Sequence, residues 1–273
     1  MKNKFMVEQS KILFFLVESR HQDITMQKFL INKEALSAEK AVIQGQDAKH
    51  ICKVLRLKPK DTISMTDGHG TDFTGCIDKV SPECVEISIL SEKKSLTESN
   101  LDLTLCTAML KHNKMDEIIK QITQLGVTRW IPFYCKRSVP LSGPKREKKQ
   151  IERWQTIARE SLKQCRRSCL VEIMPPMDFQ QVLAFSKGCA HRLAFWEASD
   201  RSLAATVPGE NNKAVVLIGP EGGFEEEEIR CAVESGFMSY SLGPRILRAE
   251  TAAVCACGLI QYLLGDMGGE SLK

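Results

Sequence analysis

A chain of 273 residues with 43% hydrophobic and 26% charged side chains can build one large domain or two ordinary ones, and its composition is that of a water-soluble globular protein. The longest apolar run near the N-terminus, Ile12 to Val17, is too short to span a bilayer and no small-residue cleavage site follows it, so the chain reads as cytoplasmic, with no membrane partner. The formal net charge of +4 hides an asymmetry: residues 1–110 balance 15 basic against 15 acidic side chains, residues 111–170 carry 15 against 5, and residues 171–273 carry 8 against 14.

A basic middle joined to an acidic C-terminal part points to a polyanion held beside a site of chemistry, with nucleic acid the first candidate. The eleven cysteines fall singly or as Cys165/Cys169 and Cys255/Cys257. With no Cys-x-x-Cys pair and no histidine at zinc-finger spacing, they read as buried reduced thiols, and no metal site is expected.

In chain order, residues 1–25 read as a loosely ordered extension. From Met26 the pattern is one of short strands: Gln27 to Asn32, Thr62 to Thr66, Thr71 to Val80 and Cys84 to Leu90, with Asp67-Gly68-His69-Gly70 as a turn between two of them. One helix is expected from Asp47 to about Leu55, with Ile51, Val54 and Leu55 on one face. This predicts a small β-barrel over residues 26–95. The polar stretch Ser91 to Asn100 is the linker candidate.

Strands and helices then alternate over residues 96–273. The strands are Leu101 to Ala108, Arg129 to Tyr134, Arg192 to Phe195, Ala214 to Ile218 and Phe237 to Leu242. The helices are Met115 to Leu125, Pro144 to about Gln164, Glu225 to Ser235 and Glu250 to Leu264. Such alternation predicts an α/β domain with a mostly parallel sheet covered on both faces.

Two stretches stand out. Val215-Val-Leu-Ile-Gly-Pro-Glu-Gly-Gly-Phe224 reads as a buried strand, a glycine-rich turn and a helix start, and four glutamates follow at 225–228. Turns of this kind often cradle phosphates with backbone N–H groups. The carboxylates here would repel one, so a ligand that is neutral or cationic where it binds fits better. Ser241-Leu-Gly-Pro-Arg-Ile-Leu-Arg-Ala-Glu-Thr-Ala252 repeats the theme and leads into a helix rich in small residues. Two such strand ends in one sheet can wall a single pocket. Neither has the G-x-G-x-x-G spacing of a dinucleotide fold.

Ile218-Gly-Pro-Glu-Gly-Gly-Phe224 and Leu242-Gly-Pro-Arg-Ile-Leu-Arg-Ala-Glu-Thr-Ala252 resemble the signature motifs of the ribosomal RNA small subunit methyltransferase E family, in the SPOUT superfamily. His50-Ile-Cys-Lys-Val-Leu-Arg-Leu-Lys-Pro-Lys-Asp61 with Asp67-Gly68-His69-Gly70 resembles that family's PUA-like front domain. The likeness covers about residues 26–266. It implies a SPOUT-type, mostly parallel sheet with a C-terminal trefoil knot, a homodimer packed through the knotted domain, and S-adenosylmethionine as cofactor. The reaction implied is methylation of N3 of a uridine in 16S ribosomal RNA of the small ribosomal subunit. One departure is Ala249, where the family usually carries Thr.

The resemblance assigns Leu217, Gly219, Glu221, Gly222, Gly223, Leu242, Gly243, Ile246 and Leu247 to the cofactor. Phe195-Trp196-Glu197, after another strand end, is a candidate for its methionine side, with core packing the equal alternative. Arg248 is the candidate for stabilising charge on the uracil, and Glu221 or Glu250 for accepting its proton, unless they only position arginines. Arg56, Lys111, Lys114, Arg137, Arg166 and Arg167 are the candidates for gripping RNA, with Lys145 and Arg146 beside them. Two other readings remain open at this point: a SPOUT methyltransferase acting on another RNA or position, and a non-catalytic RNA-binding protein.

Overall fold

The computed structural model of the chain describes residues 27–37, 39–111, 113–138, 143–203 and 212–268. The extension read over residues 1–25 lies outside them. The molecule divides into two compact units, one ending at Lys94 and the other beginning at Ser95.

In the first unit, β1 (Lys28–Leu30), β2 (Lys40–Gln44), β3 (Thr62–Thr66), β4 (Thr71–Val80) and β5 (Cys84–Lys94) form one sheet in the order β1-β3-β4-β5-β2. All its ladders are antiparallel except that of β1 on β3. The β4–β5 register shifts at Thr74/Gly75 and again at Ile77/Lys79. Such irregularities add twist and bend, and the sheet curls around its own core. Alternate residues fill that core, Ile63 and Met65 from β3 and Val85 and Ile87 from β5, with Phe29 and Ile51 closing it.

The expected helix is present but changes character. An α-helical turn, α1 (Gln46–Lys49), runs straight into a π-helical stretch from His50 to Leu55. Ile51 is fully buried, whereas Val54 is 66% and Leu55 37% exposed. The wider i→i+5 turn carries the third and fourth residues past the face that Ile51 occupies, so the one-face expectation does not hold. His50 packs inward: its Nε2 lies 3.0 Å from Gln27 Oε1 and its ring 6.3 Å from that of Phe29.

The linker is also shorter than its composition implies. Residues Ser91 to Lys94 pair with β4, because a polar sequence can still form a ladder where its side chains face water.

In the second unit, β6 (Asp102–Ala108), β7 (Arg129–Tyr134), β8 (Glu172–Ile173), β9 (Met177–Asp178), β10 (His191–Phe195), β11 (Lys213–Ile218) and β12 (Met238–Tyr240) form a sheet in the order β12-β10-β11-β6-β7-β8, with β9 also on β7. Every pairing in it is parallel. Its helices are α2 (Lys114–Gln124), α3 (Pro144–Cys165), α4 (Phe179–Phe185), α5 (Glu226–Glu234) and α6 (Ala249–Leu264). The strands are apolar on both faces. Leu103, Leu105, Leu193, Val216 and Ile218 pack with α2, α3 and α6 in one layer. Cys106, Ala194, Val215 and Leu217 pack with α4 and α5 in the other.

Helix ends follow local chemistry. Pro144 starts α3, where its missing N–H costs nothing, and Gly126 follows α2 at φ +73. The eleven cysteines are all free thiols; Cys106 and Cys257 are buried and Cys255 is exposed, so the expectation of uniform burial is too simple. Among the described residues no helix is long and apolar enough to cross a membrane.

Candidate active site

Three strand ends meet at one place. β10, β11 and β12 are close parallel neighbours, so the segments that follow them emerge together: Trp196-Glu197 after β10, Gly219 to Phe224 after β11, and Ser241 to Arg248 after β12. They wall a cavity of about 550 Å³, completed by Lys114 at the start of α2 and by Ala249 and Ala252 of α6. This is the crevice at the carboxyl ends of strands where open α/β sheets take ligands.

The loop after β11 is held from outside along its length. A Cβ on Gly219 would stand 3.0 Å from the Phe224 ring, which turns back to stack with Phe133. Glu221 Oε1 accepts hydrogen bonds from the Lys111 N–H and from Lys114 Nζ, each at 3.1 Å. The Gly222 carbonyl accepts from Arg137 Nη1 at 2.7 Å. Gly223 sits at φ +69, and a Cβ there would collide with the Glu197 carboxylate. Lys114 also stands 3.6 Å from Glu250 Oε2, a buried oxygen that makes no hydrogen bond.

Partial burial works to raise the Glu221 carboxyl, but the hydrogen bonds from Lys111 and Lys114 outweigh it and hold the group below the ordinary carboxylate value. The glutamate run is spent elsewhere. Glu228 Oε2 accepts from the Glu225 N–H at 2.9 Å, Glu228 Oε1 from the Lys136 N–H at 2.9 Å, and Glu225 Oε2 from Lys136 Nζ at 2.8 Å. These acids serve the start of α5, where the helix dipole favours them, and none lines the cavity. Their reading as an anionic pocket wall is therefore corrected. The carboxylate that faces the cavity without a hydrogen-bonded or ion-paired partner among the described residues is Glu197.

Most of the cofactor candidates converge. Gly219, Glu221, Gly222, Gly223, Leu242, Gly243, Ile246 and Leu247 all line the cavity, as does Arg248. Leu217 does not: strand alternation turns it into the opposite core layer, where it is fully buried. The side chains of Arg245 and Arg248 make no ion pair or hydrogen bond among the described residues, although the Arg248 carbonyl accepts from the Ala252 N–H at 2.8 Å.

The RNA candidates separate. Lys114 lies inside the cavity, and Arg137 braces Gly222 while its Nε stands 3.7 Å from Glu225. The Lys111 side chain and Arg56 are exposed, each in its own unit. Arg167 is corrected outright. It is 4% exposed, with its guanidinium bonded to Glu98 at 2.8 Å and to the carbonyls of Thr123 and Val127, and so has no surface to offer a phosphate. Phe195, Trp196 and Glu197, which the sequence leaves open between the cofactor's methionine side and core packing, all line the cavity, as does Ala249; Ala252 is a lining residue that the sequence reading does not assign to the site. The strand end at Phe195 was the available signal for the first three.

Residues 97–261 match the family model described as an RNA methyltransferase domain, and residues 43–90 match that of an RNA methyltransferase PUA domain. Together with the strand-end cavity, these define the class: an RNA methyltransferase preceded by a PUA domain. The chain is 29% identical over 256 residues to the ribosomal RNA small subunit methyltransferase E of Bacillus subtilis (strain 168), covering 90% of this chain and 100% of that one. It is 32% identical over 225 residues to the protein of the same name from Buchnera aphidicola subsp. Schizaphis graminum, covering 80% and 88%. The crystal structure of a ribosomal RNA small subunit methyltransferase E from Neisseria gonorrhoeae bound to S-adenosyl methionine superposes with a TM-score of 0.79 at 28% identity, covering 89% of this chain and 99% of that one. The chain belongs to the ribosomal RNA small subunit methyltransferase E family.

Proposed function

We propose that this protein methylates N3 of a uridine in the 16S ribosomal RNA of the small subunit, with S-adenosylmethionine as methyl donor. The observation that carries the reading is the cavity of about 550 Å³ at three strand ends, walled by glycine backbone and apolar side chains and edged by Arg248. Its size is right for a nucleoside-sized ligand. Its chemistry fits this cofactor. Backbone groups of Gly219, Gly222, Gly223, Leu242, Gly243 and Ile246 can meet adenine and ribose, with Leu247 as an apolar wall. The unpaired Glu197 carboxylate tolerates a cation and disfavours a phosphate. The bound cofactor of the Neisseria relative supports the same reading.

Bound S-adenosylmethionine supplies an electrophilic methyl group. The residues of this chain must do the rest, since N3 of uracil carries a proton at neutral pH. As the bond to N3 forms and the bond to sulfur breaks, the N3 proton has to leave and negative charge on the uracil oxygens has to be held. Arg248 is the N-cap residue of α6 and its guanidinium is uncommitted, which suits it to those oxygens. Glu221 is a poor proton acceptor, being doubly hydrogen-bonded and held ionised. Glu250, with one carboxylate oxygen free of hydrogen bonds, is the acceptor we assign. The cavity contributes by holding donor and base together, which removes much of the entropic barrier.

Residues 26–95 form the PUA-like RNA-binding domain in this reading and residues 96–273 the catalytic one. Exposed Arg56 and Lys111, with Arg166, supply phosphate contacts. A C-terminal trefoil knot follows in this reading from the family to which the chain belongs. A homodimer is supported by Leu259 and Tyr262, exposed at 42% and 61% on α6 beside small residues. Action on ribosomal RNA supports a cytoplasmic location. The deciding experiment incubates the protein and S-adenosylmethionine with small subunits from cells lacking this modification, then maps the methylated base. A single N3-methyluridine is expected; methylation elsewhere, or none, refutes the reading.

A further inference from the structure

A second cavity, of about 380 Å³, opens off the first. The two share five lining residues: Glu197, Ser241, Gly243, Arg245 and Ile246. Two of these are charged, with opposite sign, and neither Glu197 nor Arg245 has a hydrogen-bonded or ion-paired side-chain partner among the described residues. This sets them apart from the other acid lining the larger cavity, Glu221, which is neutralised by Lys114.

We propose that Glu197 and Arg245 together recognise the amino-acid end of the methyl donor, Glu197 taking its α-ammonium and Arg245 its α-carboxylate. The assignment rests on the cofactor reading above and deepens it. A zwitterion carries an ammonium and a carboxylate on one carbon, so its complement is a free anion and a free cation on one rim, and the junction of the two cavities provides that pair. The adenosyl part then occupies the larger cavity, among the glycines. Arg248 lines only the larger cavity and stays available to the base. Asp200 lines only the smaller one and adds a second carboxylate there, which favours the ammonium on that side. Gly223 belongs to the same device. At φ +69 it avoids strain, and the lack of a side chain leaves room for the Glu197 carboxylate, which a Cβ would strike.

The test is calorimetric and needs no turnover. Wild type, Glu197→Gln and Arg245→Gln are each titrated with S-adenosylhomocysteine and with 5′-methylthioadenosine, two adenosyl thioethers with neutral sulfur, of which the second lacks the amino-acid end. Losing one charge-assisted contact should weaken S-adenosylhomocysteine about ten-fold in each variant, while 5′-methylthioadenosine changes by less than about two-fold. The retained 5′-methylthioadenosine binding also certifies that the variants are folded. Equal losses for both ligands, or no loss for either, overturn the assignment while leaving the cofactor reading intact. Wild type that binds neither ligand overturns the cofactor reading and this assignment with it.

Discussion

The loops after β11 and β12 face one cavity and have similar glycine–proline openings, yet the protein treats them differently. In the first, Glu221 is bonded to Lys111 and Lys114, Gly222 to Arg137, and the acids that follow to Lys136 and to the start of α5. In the second, the Arg245 and Arg248 side chains have no partner among the described residues and Ile246 is 89% exposed. One wall is finished before any ligand arrives; the other keeps its charges for the ligand. The same division separates two arginines proposed from sequence for the same task of gripping RNA. Arg167 is buried against Glu98, whereas Arg56 of the first unit is exposed. Charge that is committed inside the protein supports structure, and charge that is withheld supports binding.

The comparison can be broken by substitution. Arg167→Ala should have the largest effect, a loss of about 3–5 kcal/mol in denaturant unfolding, because Glu98 would keep a partly buried charge with no counterion. A loss below about 1 kcal/mol would mean that Arg167 is not committed. Arg248→Ala should lower turnover by about 10²–10³-fold, as for loss of one transition-state donor, while S-adenosylmethionine affinity stays within about three-fold. An equal fall in both would place Arg248 with the finished wall.

Lys114→Met strips Glu221 and Glu250 of their shared cation and should cost about 1–3 kcal/mol of stability, whereas Ile246→Ala in the open loop should stay within about 0.5 kcal/mol. Replacing Arg56 with Ala should reduce the salt slope of RNA binding by about one unit without changing thermal stability, and Arg166→Ala should reduce the slope likewise. An unchanged slope removes that residue from the RNA surface.

The smallest effect concerns pH. Glu221 has a folded value below its ordinary one of 4.5, so it binds protons less readily folded than unfolded. Its stabilisation is therefore full above about pH 4.5 and is lost as pH falls through the lower folded value. Glu221→Gln should flatten this acid limb of the stability profile and leave the neutral region less stable. An unchanged acid limb would show that the carboxylate is not held by the Lys111 N–H and Lys114.

The sequence disclosed the fold where one signal dominates. Thr71 to Val80 and Arg129 to Tyr134 occupy the strands expected of them, since β-branched and aromatic runs bounded by turns leave little choice. It did not disclose β2, β8, β9 or α4, which are short and draw their stability from neighbours rather than from their own pattern. The cavity was legible because two glycine loops each end a strand. What stayed hidden was the direction in which charge is spent. Glu225 to Glu228 looked like a pocket wall and serve a helix start, while Glu197, a single acid after a strand, faces the cavity. Composition counts charges; only the fold pairs them.

Glu98 sits inside what composition marks as a linker. Its carboxylate accepts hydrogen bonds from the Arg167 guanidinium and from the N–H groups of Ser168 and Cys169. A fragment meant to carry the methyltransferase unit alone must therefore keep Glu98, and Ser95, where the second unit begins, is a start that does so. A cut at Leu101, where the apolar strand pattern resumes, would remove the anion from beneath a buried guanidinium and leave a piece with the correct family signature and a flawed foundation.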